Sequence, residues 1–172
     1  ALNQILPANL RPNICCSGIN HGANRGDDAT YSGTVAGAME ATILGVPGLA
    51  FSLAAYRDHD FTESVRIAHE ITDRALCDGI PAGTLLNINV PKGVPRGTRI
   101  TKQGFKAARP VISELIDPRG KPYYWSGTVR EGFRAGGGTD FEATDEGYVS
   151  VTPMRSDLTS HTALEALQDW NT

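Results

Sequence analysis

Between Gly18 and Thr34 the chain reads GINHGANRGDDATYSGT. Three glycines recur at a step of four, Gly18, Gly22 and Gly26, with Asn20 and Asn24 between them. Asparagine offers a neutral carbonyl oxygen and two N–H donors, so it can ligate a hard cation through oxygen or hold a phosphate oxygen through nitrogen. Glycine lets the backbone take φ > 0 and lets a ligand come close. Ser32 is a preferred helix N-cap, and Gly33, Thr34 and Val35 follow it with N–H groups that no preceding turn can pair. A free helix N-terminus beside such a loop is an anion site. Asn20, Asn24, Ser32, Gly33 and Thr34 are therefore the candidate functional residues. The run is neither a dinucleotide fingerprint nor a phosphate-binding P-loop, because GxGxxG and GKS/GKT are absent. Asn and Gly are also ordinary turn residues, and a plain loop is the competing reading of any single step in it.

The loop needs elements to position it. Ile14, Cys15 and Cys16 form a short apolar run between Pro12 and Ser17-Gly18, which reads as a strand buried on both faces. A helix is expected over 32–44, with Val35, Met39 and Ile43 at steps of four, small residues at Ala36, Gly37 and Ala38, and a stop at Gly45 and Pro47. Gly48 to Leu53 reads as a second buried strand. Strand, helix and strand make a βαβ unit, whose right-handed crossover puts the glycine loop at the carboxyl end of a parallel sheet. The clearest amphipathic helix runs from Asp60 to Leu76, with Phe61, Val65, Ala68, Ile71 and Ala75 on one stripe and Asp60 with Glu63 as a capping box. Glu40 and His69 read as solvated or structural residues. Leu85 to Val90 alternates like a strand and ends at Pro91; Asn87 and Asn89 share one face there and mark a buried polar network of unassigned role. Ahead of all this, Leu2, Ile5 and Leu6 have helical spacing.

From Pro91 the texture changes. Pro and Gly punctuate short runs such as Thr98–Lys102 and Tyr123–Ser126, which suggests β-hairpins projecting from the sheet. Tyr123, Tyr124 and Trp125 suit a subunit interface, with base stacking as the rival. Arg134 to Asp140 is a second glycine run that can fold over the site mouth, with Asp140 on substrate; a flexible loop is the rival. Gly147 to Pro153 alternates as a strand should. A final helix follows Ser156 or Asp157, with Leu164, Leu167 and Trp170 on one side. Asp157 and His161 read as hinge or interface residues, against a catalytic His161. The chain divides into an α/β core over 1–91 and a hairpin-and-arm extension over 92–172, within one structural domain.

Composition bounds the function classes. A hydrophobic content of 40% and a charged content of 20% are globular values, and the 172 residues can bury a core. A net charge of −3 gives no reason to expect a nucleic-acid duplex as partner. No apolar run approaches the roughly 18 residues of a membrane span. The three cysteines include no C-x-x-C pair, and neighbours Cys15 and Cys16 point to opposite faces of a strand, so reduced thiols in a cytoplasmic protein are expected.

The stretch SGINHGANRGDDATYSGTVAGAMEATILGVPGLAFS resembles the signature of the survival protein SurE family. The likeness extends to LLNINVP, to DPRGKPYYW and to GTDFEATDEGYVSVTPMRSDLTSHTALEALQDW, and so covers nearly the whole chain. The resemblance implies a three-layer α/β/α, Rossmann-like fold with projecting hairpins and a C-terminal arm swapped between subunits of a homodimer or homotetramer. It implies a 5′/3′-nucleotidase that hydrolyses nucleoside monophosphates or other phosphomonoesters with Mg²⁺ or Mn²⁺. Asn20 matches the family's metal-binding asparagine. Asn24, Ser32, Gly33 and Thr34 match positions that hold the phosphate, and Asn20, Asn24 and Ser32 are the catalytic candidates.

One departure stands out. Family members carry, well upstream of the SGIN motif, an Asn-Asp-Asp-Gly turn and later a serine that serve as metal ligands, and this chain starts at Ala1 without them. Asp27-Asp28 lies in the glycine loop and does not match that acidic pair. The expectation is an N-terminally truncated chain that alone has little or no nucleotidase activity, from an active longer parent. The alternative is a truncated, catalytically dead phosphate- or nucleotide-binding module.

Overall fold

The computed structural model describes residues 6–55, 57, 60–133 and 137–171. Leu2, Ile5 and the start of the second glycine run lie outside the described residues. Seven strands and four α-helices are described: β1 (Cys15–His21), α1 (Gly33–Ile43), β2 (Gly48–Ala54), α2 (Thr62–Asp78), β3 (Thr84–Pro91), β4 (Thr98–Ile100), β5 (Lys106–Ile116), β6 (Pro122–Phe133), α3 (Asp140–Asp145), β7 (Val149–Arg155) and α4 (His161–Ala166). Five strands form one sheet in the order β1-β2-β3-β7-β4, and β5 pairs with β6 as a separate antiparallel hairpin. β1, β2 and β3 are parallel, β7 runs antiparallel to β3, and β4 runs parallel to β7.

The sheet has a helix on each face, because its strands alternate. Leu49 and Phe51 of β2, Ile88 and Val90 of β3, and Val149 and Val151 of β7 pack with Ile67 of α2. The intervening Ala50 and Leu85 face the other way and pack with Val35 and Ala38 of α1. The result is the expected three-layer α/β/α arrangement. β2 is buried along its length, as a central parallel strand should be.

Several expectations need correction. β1 is the sheet's edge among the described residues, and Cys16 is exposed, so this strand is not buried on both faces. On α1 the buried residues are Val35, Ala38 and Ala41, while Ile43 is exposed: the small side chains form the seam and let the helix lie close to the sheet. Gly48 completes that fit, since a Cβ there would stand 2.1 Å from the Ala38 carbonyl oxygen. On α2 the buried residues are Ser64 and Ile67, with Ala68, Ile71 and Ala75 packed alongside, and Val65 points outward. Phe61 is the N-cap of α2; Asp60 accepts the Thr62 N–H at 2.9 Å, and Glu63 pairs with Arg66, so no capping box forms. The run at Thr98 joins the main sheet as β4 and projects nowhere. The six-residue α3 has no counterpart in the sequence reading; Thr139 caps it by accepting the Glu142 N–H.

Candidate functional site

The face of the sheet beneath α1 changes character toward the carboxyl ends of the parallel strands. Ala50 and Leu85 lie under the helix; beyond them come Ser52, Asn87 and Asn89, with Thr152 and Ser150 beside the two asparagines on β7. All five are buried. Buried polar groups must find partners. Thr101 Oγ1 lies 2.9 Å from Ser150 Oγ and 2.7 Å from Thr152 Oγ1. The asparagines find theirs in the glycine loop.

Asn24 sits over this polar face, itself buried. Its main-chain N–H donates to Asn89 Oδ1 at 2.8 Å. Its carbonyl accepts from Asn87 Nδ2 at 2.8 Å and from Asn89 Nδ2 at 3.2 Å. Its side-chain amide donates to Ser52 Oγ at 2.8 Å. The peptide at Asn24 is thus pinned at both ends by β3, which is the role the sequence left unassigned to Asn87 and Asn89. Among the described residues no hydrogen bond takes the second Asn24 Nδ2 hydrogen or its Oδ1. Asn87 Oδ1 is buried without a hydrogen-bond partner among the described residues.

Two residues on, Gly26 is held from elsewhere in the chain. Its N–H donates to Asp140 Oδ2 at 2.7 Å, and its carbonyl accepts from Gln103 Nε2 at 2.9 Å. Asp140 Oδ1 also accepts the N–H groups of Gly104 at 3.0 Å and Phe141 at 2.9 Å. Asp140 is fully buried, which overturns the expectation that it touches substrate. Burial pushes its carboxyl above the ordinary value, against the three N–H donors and the charge of Arg25. Arg25 turns away from the loop: its guanidinium donates to Thr144 Oγ1 and Asp145 Oδ1, each at 2.6 Å, and lies 4.6 Å from the Phe141 ring centre. Nothing in the spacing of Arg25, Gln103 or Asp140 signalled this cluster, because their partners lie far away in sequence.

A 3-10 helix over Gly26–Tyr31 carries the loop to Ser32. Ser32 is the N-cap of α1, as expected, and its Oγ accepts the Val35 N–H at 3.2 Å. Among the described residues no carbonyl takes the N–H groups of Gly33 and Thr34. The helix dipole adds a partial positive charge at that point. Asn20 sits near the end of β1, level with Ser52 of β2, and its Nδ2 donates to the Gly22 carbonyl at 2.8 Å. That bond leaves Oδ1 as the Asn20 atom suited to a cation. A divalent ion of the Mg²⁺ type takes about six oxygens, carboxylates among them. Among the described residues no three His, Cys, Asp or Glu side chains gather to hold one. The described residues do not by themselves make up such a site.

The other candidates lie elsewhere. Glu40 and His69 are exposed on α1 and α2. Tyr124 and Trp125 are exposed on the hairpin. His161 begins α4, exposed, with Nε2 3.4 Å from Asp157 Oδ2.

The family description "Survival protein SurE" matches residues 1–110. A 5'-nucleotidase SurE of Pelobacter propionicus is 42% identical over 173 residues, covering 98% of this chain and 69% of that protein. The 5'-nucleotidase SurE of Vibrio vulnificus is 45% identical over 174 residues, covering 99% of this chain and 67% of that protein. The crystal structure of the SurE protein from Aquifex aeolicus superposes with a TM-score of 0.80 at 41% identity, covering 94% of this chain and 66% of that one. The chain therefore spans about two thirds of the length of these relatives. The sheet with a helix on each face agrees with that likeness, and the chain belongs to the survival protein SurE family.

Proposed function

We propose that this chain carries the phosphate-holding part of a nucleotidase that hydrolyses nucleoside monophosphates. The observation that carries the reading is the match of nearly all of this chain to proteins named 5'-nucleotidase SurE, together with a loop whose peptides are pinned and a following helix whose Gly33 and Thr34 N–H groups meet no carbonyl among the described residues. In this reading the N–H groups of Gly33 and Thr34, with the hydroxyls of Ser32 and Thr34, hold the phosphate oxygens. Asn24 sets the loop against the sheet and offers its remaining amide hydrogen. Hydrolysis forms a bond from water oxygen to phosphorus as the bond to the nucleoside oxygen breaks, and a proton passes to that leaving oxygen. Phosphoryl transfer depends on positioning and charge neutralisation, which a rigid loop and a helix N-terminus supply.

Asn20 Oδ1 would be one ligand of a Mg²⁺ or Mn²⁺ ion, with carboxylates from outside the described residues. A bound divalent ion supplies Lewis-acid polarisation of the phosphoryl oxygens. The hairpin β5–β6 and the arm after β7 would join subunits into a dimer or tetramer; Ile112, Trp125, Leu158 and Trp170 are all exposed apolar residues on them. No helix among the described residues is long and apolar enough to cross a membrane. The three cysteines are free, which suits a reducing, cytoplasmic compartment.

The test is release of inorganic phosphate from nucleoside monophosphates by the intact protein, with Mg²⁺, Mn²⁺ and chelator. Metal-dependent release that falls at least tenfold in Asn20→Ala and in Ser32→Ala supports the reading. Tight nucleotide binding with no release under any metal would favour a binding module.

A further inference from the structure

Gly26 is the first residue of the 3-10 helix that ends at Tyr31, just before Ser32, and both of its polar main-chain atoms are held by residues remote in sequence. Its surroundings have no spare volume. A Cβ on Gly26 would stand 2.6 Å from Phe141 Cε2 and 2.7 Å from the Gly104 carbonyl oxygen. A Cβ on Gly104 would stand 2.6 Å from Phe141 Cδ2 and 2.9 Å from Asp140 Oδ1. Three pieces of chain thus meet at van der Waals contact, and one carboxylate joins them by accepting an N–H from each. The ties continue on the main chain: the Lys102 N–H donates to the Gly138 carbonyl at 3.0 Å, and the Asp140 N–H to the Lys102 carbonyl at 3.1 Å.

We propose that Asp140 is the positioning residue that fixes Gly26 and, through the 3-10 helix, aims the N-terminus of α1 at the phosphate. The proposal rests on the reading of that N-terminus given above. Asp140 is fully buried and acts through Gly26. Between Gly26 and the cap lie only the about two turns of this 3-10 helix: the Ser32 N–H donates to the Ala29 carbonyl at 3.3 Å, and Ala29 is buried against Val35 and Ala38 of α1. A shift at Gly26 therefore moves Ser32 and the two N–H groups after it. Asn24 is pinned independently by β3, so the loop has two anchors, one from the sheet and one from the segment around α3. Gln103 completes the second anchor from the carbonyl side.

The experiment uses the intact protein and two variants, Asp140→Asn and Gln103→Ala. Asparagine keeps the shape but turns one acceptor into a donor facing an N–H; the Gln103 change removes only the bond to the Gly26 carbonyl. Two readouts are taken well below the melting temperature: amide hydrogen exchange, and the dissociation constant of inorganic phosphate. The expected result for Asp140→Asn is exchange of the hydrogen-bonded amides within 26–35, such as Gly26, Asp28, Ser32 and Val35, faster by about tenfold, with β2 and β3 unchanged, and phosphate bound about tenfold more weakly. Gln103→Ala should move both in the same direction by less. Unchanged exchange over 26–35 overturns the proposal. So does faster exchange with phosphate affinity unchanged, which would make the cluster structural only. If Asp140→Asn does not fold, Gln103→Ala decides by the same two readouts. A wild type that binds phosphate but cleaves no nucleotide would defeat the functional reading, while these readouts still judge the anchor.

Discussion

Gly18 has a φ of +120°, and a Cβ there would stand 2.4 Å from the Phe51 carbonyl oxygen of the neighbouring strand. Gly18→Ala should therefore lower stability by ~2 kcal/mol or more in denaturant unfolding, whereas Gly33→Ala, with nothing within 4 Å, should leave it nearly unchanged. Asp140 makes a prediction about pH. Burial raises its carboxyl above 3.8, so the folded chain keeps this proton to a higher pH than the unfolded chain does. Between 3.8 and the raised value the folded state holds more protons, and stability falls as pH rises through that window. Asp140→Asn lacks the step. The stability of wild type minus that of the variant should fall as urea unfolding is repeated at rising pH across the weakly acidic range. A difference that rises would mean that the three N–H donors and Arg25 outweigh burial.

At the scale of elements, α2 tests how a stripe is read. Alternation between three and four residues made Val65 and Ala68 equivalent in sequence, yet the packed face is centred on Ile67. Ile67→Ala should cost ~2–5 kcal/mol, since it opens a cavity against Leu49 and Phe51. Val65→Ala, on a residue 46% exposed, should cost under ~1 kcal/mol. Equal losses in chemical denaturation would put the sequence-based stripe back on the core. α1 shows the same lesson from the other side. Its buried residues are small, so a pattern scan that weights large side chains finds Val35, Met39 and Ile43 and misses the seam of Ala38 and Ala41. The short α3 escaped because six residues hold too little periodicity to show.

At the scale of the molecule, exposed apolar side chains collect on two projections. Ile112, Ile116 and Trp125 lie on the hairpin, and Leu158, Leu167 and Trp170 on the C-terminal arm. If these cover one another between subunits, Trp125→Glu combined with Trp170→Glu should reduce the mass found by light scattering to that of a smaller species, with the melting of the core retained. An unchanged mass would remove these surfaces from the assembly.

The βαβ order, the parallel pairing of β1 with β2, the serine cap of α1 and the polar loop between them were legible along the chain, because each depends on residues close in it. The sequence also placed Asn87 and Asn89 on one face, through simple alternation. What those asparagines hold was decided only by the fold, since Asn24 lies 63 and 65 residues away from them. The same is true of Asp140, which reads as a loop acid in sequence and becomes a buried anchor once β4 and α3 bring Gly104 and Phe141 against Gly26. Hydrogen bonds across such separations leave no period or spacing in the chain; they exist only because packing closes the distance and removes the water that would otherwise compete for them.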